Sequence, residues 1–378
     1  MKLTLIVKAT EHCNANCMYC SVGDKETKKN RMDDEVLRLL FARIKTYLKK
    51  KPDDDVTITW HGGEPLLMGA DFYRTAHRLQ GDMLGNDAYR VEHAFQTNLT
   101  LFTEEFAEVF RILGVTSVGS SFECHEGLRR LSLRDHGEAY DAQFFQALAR
   151  LEKTGTSVGF ISVVTSPMLD KPIESLTYVA NLFPDRINTG VQFNKLYLEG
   201  EAAKSDLHYL AVSAADFGHF LGKAFSYWIK RKNILPSVQP FATLENHLVK
   251  GHASLSCVDS GSCGATHLGI GPTGDIYQCG RSMDRRILCY GNLKENDFED
   301  VFNHPDKKRL NQRSRQLAAT ECSGCRFFPH CNGGCPVEAH RDSGNFMHRA
   351  PVCDTKRVFF EQYFEPLTGI NVSKPPEC

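Results

Sequence analysis

The side chains best suited to chemistry here are cysteines. The chain of 378 residues has 14 of them, and they are not scattered. Cys13, Cys17 and Cys20 lie close together near the start, and most of the rest fall between Cys257 and Cys353. The stretch 135–256 has none. Clustered thiols are metal ligands more often than core residues. The first group, C-x3-C-x2-C, has no fourth cysteine nearby, and His12 is too close to Cys13 to share one ion with it. Closed zinc and iron–sulfur sites take four protein ligands. Three thiolates on a [4Fe–4S] cluster would leave one iron open to an external ligand. The plainer alternative is a zinc knuckle completed from a distance.

Composition narrows the field. A formal net charge of -1 gives no general electrostatic reason to bind nucleic acid or a membrane surface. No apolar run approaches the roughly 18 residues of a membrane span, and the short apolar N-terminus lacks a signal-peptide layout. A cytoplasmic location is expected, where structural disulfides are rare.

The elements that must position these cysteines alternate. Strand-like runs at 3–9, 56–60, 91–96, 117–121, 157–164 and 191–193 are separated by helix-period segments near 33–50, 70–84, 103–113, 141–154 and 173–183. This predicts an α/β fold, a partial (β/α)6 TIM-type barrel with a mostly parallel sheet. Such barrels carry their chemistry on loops after the C-terminal strand ends. The unusual residues obey that rule. The cysteine triplet follows the first strand, His61-Gly62-Gly63-Glu64-Pro65 the second and Thr97-Asn98 the third, while Ser121-Phe122-Glu123 stands at the end of the fourth. The expected division is a barrel at 1–200, a helical connector at 201–252, a small cysteine-rich domain at 253–365 and a tail at 366–378. In the connector, Phe217, Phe220, Leu221, Phe225, Trp228 and Ile229 form an apolar helix face. Lys195, Tyr197 and Glu199 follow the last strand and are expected to face a substrate.

Over residues 3 to about 200, these ordered motifs resemble the radical S-adenosylmethionine (SAM) superfamily. The resemblance implies that SAM chelates the open iron through its amino and carboxylate groups. It implies that Tyr19 packs near the adenine and that Gly62, Gly63, Glu64 and Pro65 meet the SAM amino group. Asn98, at the third strand end, joins the cofactor contacts, and Ser121 and Glu123 stand where the ribose is held. Arg134, or else Arg130, would bind the SAM carboxylate. The implied chemistry is homolytic cleavage of SAM to a 5′-deoxyadenosyl radical that removes hydrogen from an unactivated C–H bond.

From 253 onward the sequence turns glycine- and cysteine-rich. The run Gly271-Pro272-Thr273-Gly274-Asp275 predicts a hairpin turn. The spacing Cys257-x5-Cys263, Cys279, Cys322-x2-Cys325-x5-Cys331-x3-Cys335 and Cys353 resembles the SPASM extension of radical SAM enzymes, closest to the anaerobic sulfatase-maturating group. A pair of zinc sites is the blander reading. The resemblance implies one auxiliary [4Fe–4S] cluster on Cys257, Cys263, Cys279 and Cys335, and a second on Cys322, Cys325, Cys331 and Cys353. With the SAM cluster this makes three. Cys124, Cys289 and Cys378 are left without a role. In the sulfatase-maturating group an aspartate directly after the third of the first auxiliary cysteines is the base. Here that position is Gly280, and Asp284 and Asp259 are the candidate substitutes.

The expected activity is modification of a ribosomally made peptide or protein, first of all by an intramolecular thioether or carbon–carbon cross-link. The alternatives are oxidation of Cys or Ser to formylglycine and dehydrogenation of a small molecule. A non-catalytic electron carrier would leave the Gly-Gly-Glu-Pro segment unexplained. The chain starts at its first barrel strand, so leader recognition is expected to use the barrel, the connector or a separate leader-peptide-binding protein. A flavodoxin- or ferredoxin-type reductant is expected too. Three cubanes predict about 12 iron atoms per chain after anaerobic reconstitution. Cys17→Ala should abolish 5′-deoxyadenosine release from SAM, whereas Cys289→Ala should not.

Overall fold

The computed structural model describes residues 2–22, 30–181, 190–249 and 255–373; Cys378 lies outside the described residues. The strands are β1 (Lys2–Thr10), β2 (Asp55–Gly62), β3 (Val91–Gln96), β4 (Ser117–Ser121), β5 (Ser157–Val164) and β6 (Gly190–Lys195). Each pairs in parallel with the next. Between them run α1 (Asp34–Lys50), α2 (Ala70–Leu84), α3 (Glu104–Ile112), α4 (Glu138–Lys153) and α5 (Pro172–Asn181). The expected α/β partial barrel is therefore present.

Local signals explain the elements. Asp33 caps α1 by accepting the Val36 N–H at 2.8 Å, with Asp34 and Glu35 in the first turn and Lys49 and Lys50 in the last. These charges complement the helix dipole. Its buried face is Val36, Leu37, Leu40, Phe41, Ile44, Tyr47 and Leu48. Burying a Leu or Phe side chain of this kind stabilises by about 1.5–3 kcal/mol.

On the strands the period-2 alternation separates two surfaces. Leu3, Leu5, Val7, Val56, Ile58 and Trp60 are fully buried against the helices. The opposite face, including Thr57, Thr59, His61, Gln96, Ser121, Gln192 and Asn194, stays half-exposed. The barrel interior is thus a polar, accessible lumen. Lys8 and Thr10 are exceptions on that face, and both are buried.

Beyond the six expected strands, α6 (Ala214–Trp228) is followed by β7 (Ser237–Gln239), which extends the parallel sheet past β6, and then by α7 (Phe241–Val249). The cysteine-rich part contains α8 (Cys263–Thr266), β8 (His267–Ile270), β9 (Asp275–Tyr277), α9 (Gly280–Asp284), β10 (Cys289–Asn292), α10 (Phe298–Asn303), α11 (Pro305–Ala319), α12 (Pro336–Ser343) and α13 (Cys353–Phe359). β8 and β9 form the expected antiparallel hairpin, with Gly274 at φ +90° in the turn. The sequence gives no sign of what β8 does next. It pairs in parallel with β1, Thr4 opposite His267 through Val7 opposite Ile270. One sheet of ten strands, ordered β10-β9-β8-β1-β2-β3-β4-β5-β6-β7, therefore spans both halves of the protein.

A buried relay braces the outer side of β2 and β3. Trp60 donates its indole N–H to His93 Nδ1 at 3.0 Å, and the other ring nitrogen of His93 meets Gln80 Oε1. Burial holds this imidazole neutral, pushing its pKa down to about 3. The unfolded chain would take up that proton below about pH 6.5, so folding stability falls as pH drops from about 6.5 towards 3. His93→Gln should flatten this dependence. The check is the difference in melting temperature between wild type and variant, which should narrow as pH is lowered from 7 to about 5.5.

Candidate active site

The cysteine loop leaves β1 and is held by backbone on three sides. Asn16 N–H donates to Arg130 O at 2.6 Å, Met18 N–H to Leu128 O at 2.9 Å, and Glu201 N–H to Cys20 O at 3.0 Å. The fourth support is the Gly-Gly-Glu-Pro segment. Gly63 N–H donates to Thr10 O at 3.0 Å and Glu64 N–H to His12 O at 2.9 Å. A Cβ at Gly62 would stand 2.1 Å from Thr10 O, and one at Gly63 2.2 Å from His12 O. Both glycines are needed so that the two loops can touch.

Glu64 takes another part from the one expected. Its carboxylate is fully buried and accepts from Leu66 N at 2.9 Å, Thr97 Oγ1 at 2.7 Å and Asn98 N at 2.7 Å. Burial raises its pKa to about 7 against these bonds. The side chain fastens the β2 loop to the β3 loop and is no open acceptor for an ammonium group. Pro65 opens a short 3-10 turn behind it and is buried. Asn98 is brought to the cluster loop, its amide 2.9 Å from Asn14 Oδ1 and 3.9 Å from Cys13 Sγ.

Glu123 has a buried side chain that accepts from Val163 N at 3.1 Å and stands 3.3 Å from Arg129 Nε. Arg129 lies over the Phe122 ring at 3.9 Å and also pairs with Asp141 at 3.0 Å. Tyr19 packs beside Leu128, Leu196, Ala202, Leu207 and Leu210. The second carboxylate oxygen of Glu123, Oε2, has no hydrogen-bond partner among the described residues. Ser121 keeps its side chain on the lumen face, while its carbonyl accepts from Arg129 at 3.3 Å. Of the two candidate arginines, Arg134 is exposed on a turn, away from the role expected of it. Arg130 donates to Asn16 O at 3.1 Å inside the cysteine loop. Sequence reading missed Arg129, whose only signal was its place six residues after Glu123.

The C-terminal thiols fall into two sets. Burial raises the pKa of Cys257 to about 12, with Cys335 and Cys279 adding to the effect. Cys263 is shifted up by burial and then by Cys257, Cys335 and Cys279. Cys322 is raised by burial, then by Cys353 and Cys325, and Cys331 is pushed to about 11 by burial, with Cys322 contributing. Cations attend the sulfurs: Arg281 stands 3.6 Å from Cys335 Sγ and Arg349 3.3 Å from Cys353 Sγ. None of the thirteen described cysteines is in a disulfide. Among the described residues no three Cys, His, Asp or Glu groups close on a single ion. Cys124 bonds Ser175 Oγ at 3.1 Å and Cys289 is exposed.

The candidate bases separate. Asp259 is buried and pairs with Lys356 at 2.7 Å, tying the 257–263 loop to α13. Asp284, at the end of α9, pairs with Lys8 on the lumen face of β1. A Cβ on Gly280 would meet Ile6 Cγ2 at 3.2 Å and Lys8 Cε at 3.6 Å, so α9 lies against that face. Burial, helped by the Lys8 charge, pushes the neighbouring His61 down to about 4. Lys195 and Tyr197 line the cavity between the last barrel strands and Cys335, whereas Glu199 does not. Tyr197 lies under Arg281 at 4.3 Å, and Glu199 is buried on Arg285 at 3.0 Å.

Comparison with known proteins agrees with this geometry. The radical SAM superfamily profile matches residues 7–177, and the SPASM iron–sulfur cluster-binding domain profile matches residues 257–326. The chain is a radical SAM enzyme with a SPASM domain. It is 26% identical over 366 residues to a serine-type anaerobic sulfatase-maturating enzyme of Klebsiella aerogenes, covering 94% of this chain and 83% of the relative. It is 25% identical to a cysteine-type enzyme of Clostridium perfringens, with 97% and 98% covered. The fold matches the structure of native anSMEcpe with bound AdoMet and Kp18Cys peptide at TM-score 0.79 and 21% identity, covering 98% and 99% of the two chains. It matches Streptococcus suis SuiB bound to precursor peptide SuiA at 0.62 and 16%, covering 93% and 76%.

The radical SAM enzyme takes SAM and iron–sulfur clusters as cofactors, and its residues fit them. Cys13 Sγ accepts the Ala15 N–H at 3.4 Å, as a thiolate ligand does. Buried thiols with raised pKa give up their protons when metal binds. Glu64→Gln should cost about 1–3 kcal/mol, because an amide must leave either Leu66 N–H or Asn98 N–H facing a donor. The check is a lowered melting temperature with the iron content retained.

Proposed function

We propose that this radical SAM enzyme acts on a peptide or protein and joins two of its side chains by a thioether or carbon–carbon bond. One observation carries the reading: the first auxiliary thiols adjoin the barrel lumen. Cys279 leads straight into α9, which rests on Ile6 and Lys8. A cavity of about 100 Å³ has Gln192, Asn194 and Gln239 of the barrel on one side and Cys335 of the SPASM domain on the other. A substrate side chain in that space would lie between the two halves of the protein.

When bound, SAM and its cluster supply the radical that takes one hydrogen atom from a C–H bond. Coupling two X–H groups then releases one further proton and one electron. Asp284 Oδ1 takes the proton in this reading, because Lys8 Nζ holds that carboxylate at the lumen wall. Cys279 and Cys335 are the ligands placed to hold an electron acceptor beside the new bond. A flavodoxin or ferredoxin is the reductant class this chemistry needs; a leader would be held by the barrel, the connector or a separate leader-peptide-binding protein.

Formylglycine formation is the second reading, favoured by the sulfatase-maturating relatives. Against it, residue 280 is a glycine, and a Cβ there would lie 3.2 Å from Ile6 Cγ2 and 3.6 Å from Lys8 Cε. Co-expression with a candidate peptide and mass spectrometry separates the two. A cross-link gives a product lighter by two hydrogen atoms and unreactive towards hydrazides; an aldehyde would overturn it. Asp284→Asn should keep SAM cleavage while lowering product formation by about 10²–10⁴-fold.

A further inference from the structure

Buried cations in this protein divide sharply. Among the described residues five lysine or arginine side chains are buried: Lys8, Arg90, Arg129, Lys307 and Arg313. The first three are ion-paired, with Asp284, Asp87 and Glu123. Lys307 and Arg313 have no carboxylate at ion-pair distance among the described residues. Both lie on α11, and both stand beside cysteines of the auxiliary sets.

Lys307 is fully buried. Its ammonium donates to two neutral oxygens, Gln278 Oε1 at 2.9 Å and His267 O at 3.1 Å. The rings of Tyr290 and Phe302 lie 5.2 and 5.4 Å away. Gln278 is the residue before Cys279, and its amide donates to Cys263 O at 2.8 Å. Tyr290 OH also donates to Gln278 Oε1, at 3.0 Å. The Gln278 amide is fully engaged, while the third N–H of Lys307 has no oxygen partner among the described residues. Burial pushes the Lys307 pKa down to about 7, and Cys263 and Cys279 oppose that shift. Arg313 repeats the theme, bonded to the carbonyls of Gly333, Gly334 and His348 and acting on Cys335, Cys263 and Cys322.

A buried charge without a counter-charge is strongly unfavourable. Four thiolates around an iron–sulfur cluster provide the missing negative charge, and each electron added to the cluster increases it. We propose that Lys307 is the counter-ion of the first auxiliary cluster, a positioning residue that raises this cluster's reduction potential. The proposal rests on the SPASM thiols holding two clusters. It fails separately from the cross-link reading, which is judged by product mass.

The test is an EPR-monitored redox titration of full-length, anaerobically reconstituted enzyme carrying C13A/C17A/C20A, so that only auxiliary clusters report. Lys307→Met should lower one of the two midpoint potentials, shifting its one-electron equilibrium about tenfold, or about 59 mV. Lys307→Arg, which keeps the charge, should stay near the parent. Gln278→Glu keeps the lysine but adds a carboxylate, and should lower the same midpoint. Unchanged midpoints in Lys307→Met at full iron content overturn the proposal. If Lys307→Met loses iron, an unchanged midpoint in Gln278→Glu overturns it equally. A parent chain without auxiliary iron refutes the cluster reading itself.

Discussion

The structure depends on the double parallel pairing of β1. Its backbone bonds β2 on one side and β8 on the other. At its C-terminal end it releases the loop of Cys13, Cys17 and Cys20. Across its other edge, β8 passes through the hairpin to Cys279 and α9. One strand therefore sets the distance between the SAM-binding loop and the first auxiliary thiols. Hydrogen-bond register leaves little freedom there, since a one-residue slip would turn Lys8 out of the lumen and Val7 into it.

Around that strand the loops lock one another. Glu64 joins the second and third loops, the paired glycines let the second loop rest on the first, and Glu123 with Arg129 and Tyr19 joins the fourth to the first. The residues 199–201 add a clamp of their own, touching Cys20 on one side and, on the other, Arg285 just past α9 and Arg341 of α12. Positioning a small charged cofactor needs groups whose own orientation is already fixed by such contacts.

Much of this was legible in the sequence. Period-2 and period-3.6 patterns located the barrel strands and their helices to within a few residues, because each element buries one strongly apolar face. The motif order located the mouth. Side-chain roles were harder to read. Glu64 and Glu123 look like open acceptors in one dimension, yet two donors from the β3 loop and one from its own loop converge on the first, and a buried guanidinium stands beside the second. β7 and β8 are too short to show a period. The α11 sequence, rich in Lys and Arg, reads as a solvated face, and only packing reveals that Lys307 and Arg313 point inward. Tertiary partners, not local propensity, decide the fate of a polar side chain.

The pairing of β1 with β8 also has a history built into it. β1 leaves the ribosome before the other barrel strands, while its second neighbour is made only after the whole barrel. Until then its outer edge has unmet N–H and C=O groups and a row of Leu and Val beneath them, the features that invite wrong pairing. The strand made first is thus completed last. For the growing chain, docking of the cysteine-rich domain is the step that closes an exposed edge, as well as the step that brings the thiols to the barrel.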